Sequence, residues 1–138
     1  DQLKKLVAIC EVVTPNIDEA QKLAQMTIKN NDDILEAAKK IQELGAANVF
    51  IKAGHLDQGQ KVQNVLLDKN SLTSMITNDR LDKGQIHGTG CALATAIACN
   101  IAKKDSLLSA INKANQYIFK NIENCQKVGG GSVILTHF

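Results

Sequence analysis

The stretch His87-Gly88-Thr89-Gly90-Cys91, with the apolar run Ala92-Leu93-Ala94-Thr95-Ala96-Ile97-Ala98-Cys99 behind it, decides how the chain is read. Two glycines flank a hydroxyl residue, a thiol follows at once, and the spacing predicts a helix over residues 92–103. A glycine turn that feeds a helix leaves backbone N–H groups without internal partners, and the helix dipole adds partial positive charge at the same place. Such an end holds phosphates and oxyanions, and it favours the thiolate form of Cys91. On these five residues alone the plainer alternative, a glycine turn before a packing helix with a structural cysteine, is the more common outcome.

The rest of the chain sets bounds. Its 138 residues fit one domain with a real core. Hydrophobic content of 44% and charged content of 22% are ordinary for a globular chain. The net charge is +2, opposite charges are interleaved, and three Phe and one Tyr form no stacking platform, so nucleic-acid binding gets no support. The most apolar run, residues 91–101, is broken by Thr95 and Asn100 and is too short to span a bilayer. No signal peptide is read. Cys10, Cys91, Cys99 and Cys125 make no CxxC pair and no metal-ligand spacing with the histidines, which predicts a reduced, cytoplasmic setting. The first residue is Asp1, not Met, as expected of a processed piece or a fragment.

In order, residues 1–8 read as the end of a helix and residues 10–14 (CEVVT) as a short strand stopped by Pro15. Residues 17–26 read as a helix with Asp18 and Glu19 in its first turn. Asn30 and Asn31 are a linker, and Asp33 with Glu36 matches a capping box for a helix that aligns Ile34, Ala37, Ala38, Ile41 and Leu44 and stops at Gly45. Residues 48–52 (NVFIK) form a strand buried on both faces, and Ala53-Gly54-His55 turns the chain. Residues 62–67 and 72–77 are two strands joined by a turn at 68–70, and residues 79–85 are a polar loop. The helix over 92–103 is apolar nearly all round, so it should lie against a sheet. Asp105 is placed to cap a last helix whose inner side carries Leu107, Leu108, Ile111, Ala114, Ile118 and Ile122, and the chain ends in a run over 133–136.

Alternating strands and helices argue a parallel α/β layer, made mixed by the hairpin. Sites in such sheets lie beyond the carboxyl ends of the strands. Here those ends are Thr14-Pro15-Asn16, Lys52-Ala53-Gly54-His55 and the loop before Gly88, so three polar clusters far apart in sequence are expected at one rim.

Thr14-Pro15-Asn16-Ile17-Asp18-Glu19-Ala20, Ile51-Lys52-Ala53-Gly54-His55, His87-Gly88-Thr89-Gly90-Cys91 and the tail 129–138, ending in His137-Phe138, occur in an order and at spacings that resemble the hydroxymethylpyrimidine/phosphomethylpyrimidine kinases of thiamine biosynthesis. The resemblance covers essentially the whole chain. It implies an α/β, ribokinase-like fold, of which residues 1–138 are a single partial domain: the C-terminal half of a mostly parallel three-layer sheet with an antiparallel hairpin. It further implies ATP-dependent phosphoryl transfer to the hydroxymethyl group of an aminopyrimidine or to its monophosphate, with Mg²⁺, this chain carrying the nucleotide side and the anion hole. Alanine stands at Ala53 where the family usually has a second glycine, Ile86 where it tends to have threonine, and Val133-Ile134 where it has Gly-Pro.

By the same resemblance, Gly88, Thr89 and Gly90 offer N–H groups to the transferring phosphoryl, as does Cys91, which also takes the acceptor proton. Asn16 and Glu19 form an Asn-x-x-Glu element whose carboxylate orients Mg²⁺, and Lys52 approaches the nucleotide phosphates. His87 is placed beside the nucleotide, and residues 112–119 beside the adenine. Each has a plainer reading: a helix cysteine, a helix-start pair, a strand-end lysine, a structural histidine. His55 is read mainly as structural, and Asp79 and Arg80 as a solvated loop. A pyridoxal kinase sharing the fold and a non-catalytic nucleotide-binding remnant are the competing functions. The expected partner is a small-molecule pyrimidine, with no nucleic acid and no membrane, and the chain is expected to form a homo-oligomer or to associate with the missing N-terminal half.

Overall fold

The computed structural model describes residues 2–54, 56, 59–81, 86–127 and 133–135; the predicted roles of His55, of the glycines at 129–131 and of the tail His137-Phe138 fall outside these residues. The chain forms two compact units, Asp1–Arg80 and Leu81–Phe138.

Unit 1 contains helices α1 (Gln2–Val7), α2 (Ile17–Ala24) and α3 (Asn31–Glu43), then strands β1 (Val49–Ile51), β2 (Lys61–Leu67) and β3 (Thr73–Asp79). The strands form an antiparallel sheet in the order β1-β2-β3, with Ile51 opposite Val65 and Val65 opposite Met75. β1 is wholly buried, as its unbroken apolar run requires. α3 lays Ile34, Ala37, Ala38 and Ile41 into the same core as Val49, Ile51, Val65 and Leu67. Replacing Ile41 by Ala there costs about 2–5 kcal/mol.

The expected strand over 10–14 is reduced to two parallel bridges, Val13 with Val49 and Asn16 with Lys52. The cause is chemical. Val13 N–H donates to Asn48 O (3.0 Å), Phe50 N–H to Val13 O (2.9 Å) and Lys52 N–H to Pro15 O (2.9 Å), but the rung between them needs an N–H that Pro15 lacks. Buried Asn48 ties this segment down from the side: its Nδ2 donates to Glu11 O (2.7 Å) and its Oδ1 accepts from Lys69 N–H (2.9 Å).

Several helix boundaries differ from expectation. α3 is capped by Asn30, not Asp33: Asn30 Oδ1 accepts from Asp33 N–H (3.0 Å), and Asp33 Oδ2 accepts in return from Asn30 N–H (3.2 Å) and Lys29 N–H (2.8 Å). The residue paired in the box is thus the one three positions before Asp33, and Glu36 instead pairs with Lys40 (3.1 Å). α2 ends one residue before Gln25, which adopts a left-handed conformation (φ 52°). Gly45 stops α3 as predicted; its φ of 108° and the 2.8 Å that a Cβ would leave to Ala8 Cβ both demand glycine. Asp79 belongs to β3 and pairs with Lys61 rather than lying in a loop.

Unit 2 contains β4 (Ile86–His87), α4 (Thr89–Ala102), α5 (Leu107–Glu123), β5 (Gln126–Lys127) and β6 (Val133–Ile134). β6 lies between β4, which it pairs in parallel, and β5, which it pairs antiparallel. Among the described residues most ladders are therefore antiparallel, against the mostly parallel expectation. α4 starts at Thr89, three residues earlier than expected, and only Leu93 and Ile97 of it are buried. Its apolar sequence does not make it a core helix: Ala94, Thr95, Ala98 and Cys99 are exposed. α4 packs on α5, where Asn100 Nδ2 donates to Ala110 O (3.3 Å). α5 buries Ala110, Ile111, Ala114, Ile118 and Asn121, while Leu108 turns to solvent, about 100° round the helix from its neighbour. Its cap is Ser106, which accepts from Ser109 N–H (3.4 Å), and not Asp105.

Candidate functional site

Unit 1 brings Asn16, Glu19 and Lys52 to one edge. The parallel bridge sets the backbone of Asn16 beside that of Lys52, where the segment through Pro15 and strand β1 both end. Asn16 then caps α2: its Oδ1 accepts from Glu19 N–H (2.8 Å), and Glu19 Oε2 accepts from Asn16 N–H (2.8 Å). This reciprocal pair satisfies two backbone donors at the helix start. The plainer reading of Asn16 and Glu19 therefore has a full structural basis, and one oxygen of Glu19 is engaged by it. Among the described residues no group of three or more His, Cys, Asp or Glu side chains could hold a metal. Any Mg²⁺ reaching Glu19 would need its remaining ligands from phosphate and water, the usual manner for this ion. Ala53 follows Lys52, fully buried in the core, with its N–H donated to Asn64 Oδ1 (2.9 Å). Its methyl is thus part of the packing.

Unit 2 holds the other predicted residues. His87 ends β4 and is exposed; Gly88 is the N-cap of α4 with φ 91°, a conformation that favours glycine. A Cβ built there meets nothing within 4 Å, so the requirement is backbone conformation and not space. Thr89, Gly90 and Cys91 are the first turn of the helix and not a loop before it. The first intrahelical bond is Ala92 N–H to Gly88 O (2.9 Å). The N–H groups of Thr89, Gly90 and Cys91 thus lie ahead of the helical ladder, and Gly88 provides no side-chain cap for them.

A cavity of about 650 Å³ opens at this helix end, lined by Gly88, Cys91, Thr95, Asn100, Lys113 and Tyr117 among others. Its size is that of a small-ligand site. Cys91, Thr95 and Cys99, on the exposed small-residue side of α4, form part of its wall. The start of α4 offers it partial positive charge, and α5 a phenol ring and an ammonium group. Lys113 Nζ is held by both oxygens of Asp105, at 2.8 and 2.9 Å. His87 is not among the residues that line the cavity.

Lys113 and Tyr117 fall within the broad segment 112–119 expected beside the adenine, and Asp105, expected as a cap, instead holds Lys113. The Asp105–Lys113 pair spans a helix start at a separation of eight, which no i,i+4 pattern reveals. Arg80, read as a solvated side chain, makes three bonds to backbone carbonyls.

A family model described as phosphomethylpyrimidine kinase matches residues 1–136. The chain belongs to the phosphomethylpyrimidine kinase family. It is 37% identical over 134 residues to a thiamine biosynthesis bifunctional protein of Geobacter sulfurreducens, covering 97% of this chain and 27% of that protein. It is 35% identical over 126 residues to a hydroxymethylpyrimidine/phosphomethylpyrimidine kinase of Bacillus subtilis, covering 91% of this chain and 46% of the kinase. Among solved structures, an ADP complex of Bacillus subtilis pyridoxal kinase superposes with a TM-score of 0.90 at 32% identity, over 97% of this chain and 52% of that one. The fold is thus the ribokinase-like α/β fold of these kinases, and the chain spans about half the length, or less, of the relatives it matches. The four cysteines form no disulfide, and among the described residues no helix is long and apolar enough to cross a membrane.

Proposed function

We propose that this chain is the nucleotide-binding half of an ATP-dependent kinase that phosphorylates the hydroxymethyl group of 4-amino-5-hydroxymethyl-2-methylpyrimidine, or its monophosphate, in thiamine biosynthesis. The observation that carries the reading is the start of α4, which has no side-chain cap and whose Gly88 and Cys91 line a cavity with Lys113 and Tyr117. Family membership and the ADP bound by the pyridoxal kinase relative support it.

In this reading the amides of Thr89, Gly90 and Cys91 take up charge that develops on the transferring phosphoryl group, at a helix end where few donors need to reorganise. Cys91 accepts the hydroxymethyl proton late in the transfer. Tyr117 and Lys113 flank the base or ribose, with Asp105 holding Lys113 in place. Lys52 contacts the phosphates as a point charge, and Glu19 reaches Mg²⁺ through water, keeping its cap to Asn16. His87, which ends β4 directly before Gly88, stands beside the nucleotide. Bound Mg²⁺ supplies charge neutralisation across the phosphates. The two units are read as parts of one partial ribokinase-like kinase domain. The chain works in the cytoplasm, as a homo-oligomer or joined to an N-terminal half that forms most of the acceptor site.

A second reading, pyridoxal phosphorylation, is favoured by the pyridoxal kinase structure that superposes on this chain. Turnover of ATP–Mg²⁺ with each acceptor, measured on a polypeptide carrying both halves, separates the two. Preferred turnover of the pyrimidine supports the first reading, and preferred turnover of pyridoxal the second. ATP binding without transfer to either makes the chain a nucleotide-binding remnant.

A further inference from the structure

Arg80 makes a set of contacts that the phosphoryl-transfer reading does not use. Its Nε donates to Gly59 O (2.9 Å), Nη1 to Gly54 O (3.1 Å) and Nη2 to Leu56 O (2.6 Å). Its own N–H donates to Gln60 O (2.8 Å). Topology explains how one side chain reaches all of these. Lys61 pairs with Asp79 across the hairpin, so Arg80 falls opposite Gln60, at the open end where the connection from β1 enters β2. The three carbonyls belong to that connection, which begins directly after Lys52 and Ala53. Outside a ladder, such carbonyls otherwise depend on water. A guanidinium has five donors in a planar fork and can bind several acceptors at once; an ammonium is a single point and cannot span them.

We propose that Arg80 is a positioning residue: its guanidinium gathers the carbonyls of Gly54, Leu56 and Gly59 and thereby fixes the end of the segment that presents Lys52 to the nucleotide phosphates. The inference rests on the reading of Lys52 as a phosphate-contacting residue. Beside Lys52 the segment is also held by Ala53 N–H on Asn64 Oδ1 and by Leu56 N–H on Ala53 O (both 2.9 Å). Arg80 closes the remaining side.

The test uses the 138-residue chain with Arg80→Lys, Arg80→Ala and Lys52→Ala, read by amide hydrogen exchange and by calorimetric titration with ATP–Mg²⁺. Both Arg80 variants are expected to speed exchange in peptides over residues 53–60 while leaving those over α3 unchanged. Both are expected to weaken ATP–Mg²⁺ binding about tenfold, toward the affinity of Lys52→Ala. Arg80→Lys keeps the charge, so wild-type behaviour of that variant in either readout overturns the proposal. Faster exchange throughout α3 overturns it too, because the role would then be general stability. If Lys52→Ala weakens binding and the Arg80 variants do not, this inference fails and the reading of Lys52 stands. If Lys52→Ala binds as the wild type does, or the wild-type chain binds no ATP, the reading of Lys52 fails and takes the inference with it.

Discussion

The helices α2 and α4 begin in opposite ways. α2 starts with Asn16 and Glu19 bonded to each other's backbone at 2.8 Å, so two of its backbone donors are satisfied internally. α4 starts with Gly88, which has no side chain to offer, and Gly88 and Cys91 of this start line a cavity. α3 and α5 follow α2, with side-chain caps from Asn30 and Ser106. A helix end left unsatisfied among others that are capped is a cost in stability. In the proposed function a ligand's negative charge supplies the missing acceptor at this end. The contrast also separates two kinds of motif: the Asn-x-x-Glu element has a complete structural explanation, and the Gly-Thr-Gly-Cys element does not.

The contrast can be broken at several points. Cys91→Ala, in a kinase carrying both halves, is expected to lower kcat by about 10²- to 10⁴-fold with little change in ATP affinity; unchanged turnover removes the proton-acceptor role. Gly88→Asp and Gly88→Asn share the backbone cost of a positive φ but differ in charge. The aspartate is expected to weaken ATP–Mg²⁺ binding about tenfold or more relative to the asparagine, by calorimetry, because it places a carboxylate where phosphate charge belongs. Asn16→Ala should cost about 1 kcal/mol in chemical denaturation, whereas Glu19→Gln keeps an acceptor for Asn16 N–H and should cost less. If Glu19→Gln still weakens ATP–Mg²⁺ binding, the carboxylate has a role beyond the cap. Ser106→Ala should have the smallest effect, about 0.5 kcal/mol, since its cap bond is long at 3.4 Å.

Much of this was legible from particular residues. The unbroken apolar run through Val49, Phe50 and Ile51 announced a buried strand, and the spacing of Ile34, Ala37, Ala38 and Ile41 announced the face of α3. Gly45 announced the end of that helix. What could not be read were effects set by partners distant in sequence. Whether residues 10–14 form a strand depended on which rung Pro15 would have to donate. The exposure of α4 depended on what packs against it, and its alanine-rich sequence serves a cavity wall as well as a core. Caps were misplaced at Asp33 and Asp105 because several Asn, Asp and Ser residues near each helix start compete for the same amides. At the candidate site, the order of the motifs was legible, but the Asp105–Lys113 pair and the grip of Arg80 on three carbonyls left no pattern in the sequence.

The central claim is that the open start of α4 receives phosphate, and backbone amide NMR during titration of this chain with ATP–Mg²⁺ tests it most directly. The account predicts saturable shifts of the Thr89, Gly90 and Cys91 amides, with those of Asp32 and Asp33 at the capped start of α3 unmoved. Shifts absent at residues 89–91, or equal at the two helix starts, would contradict it.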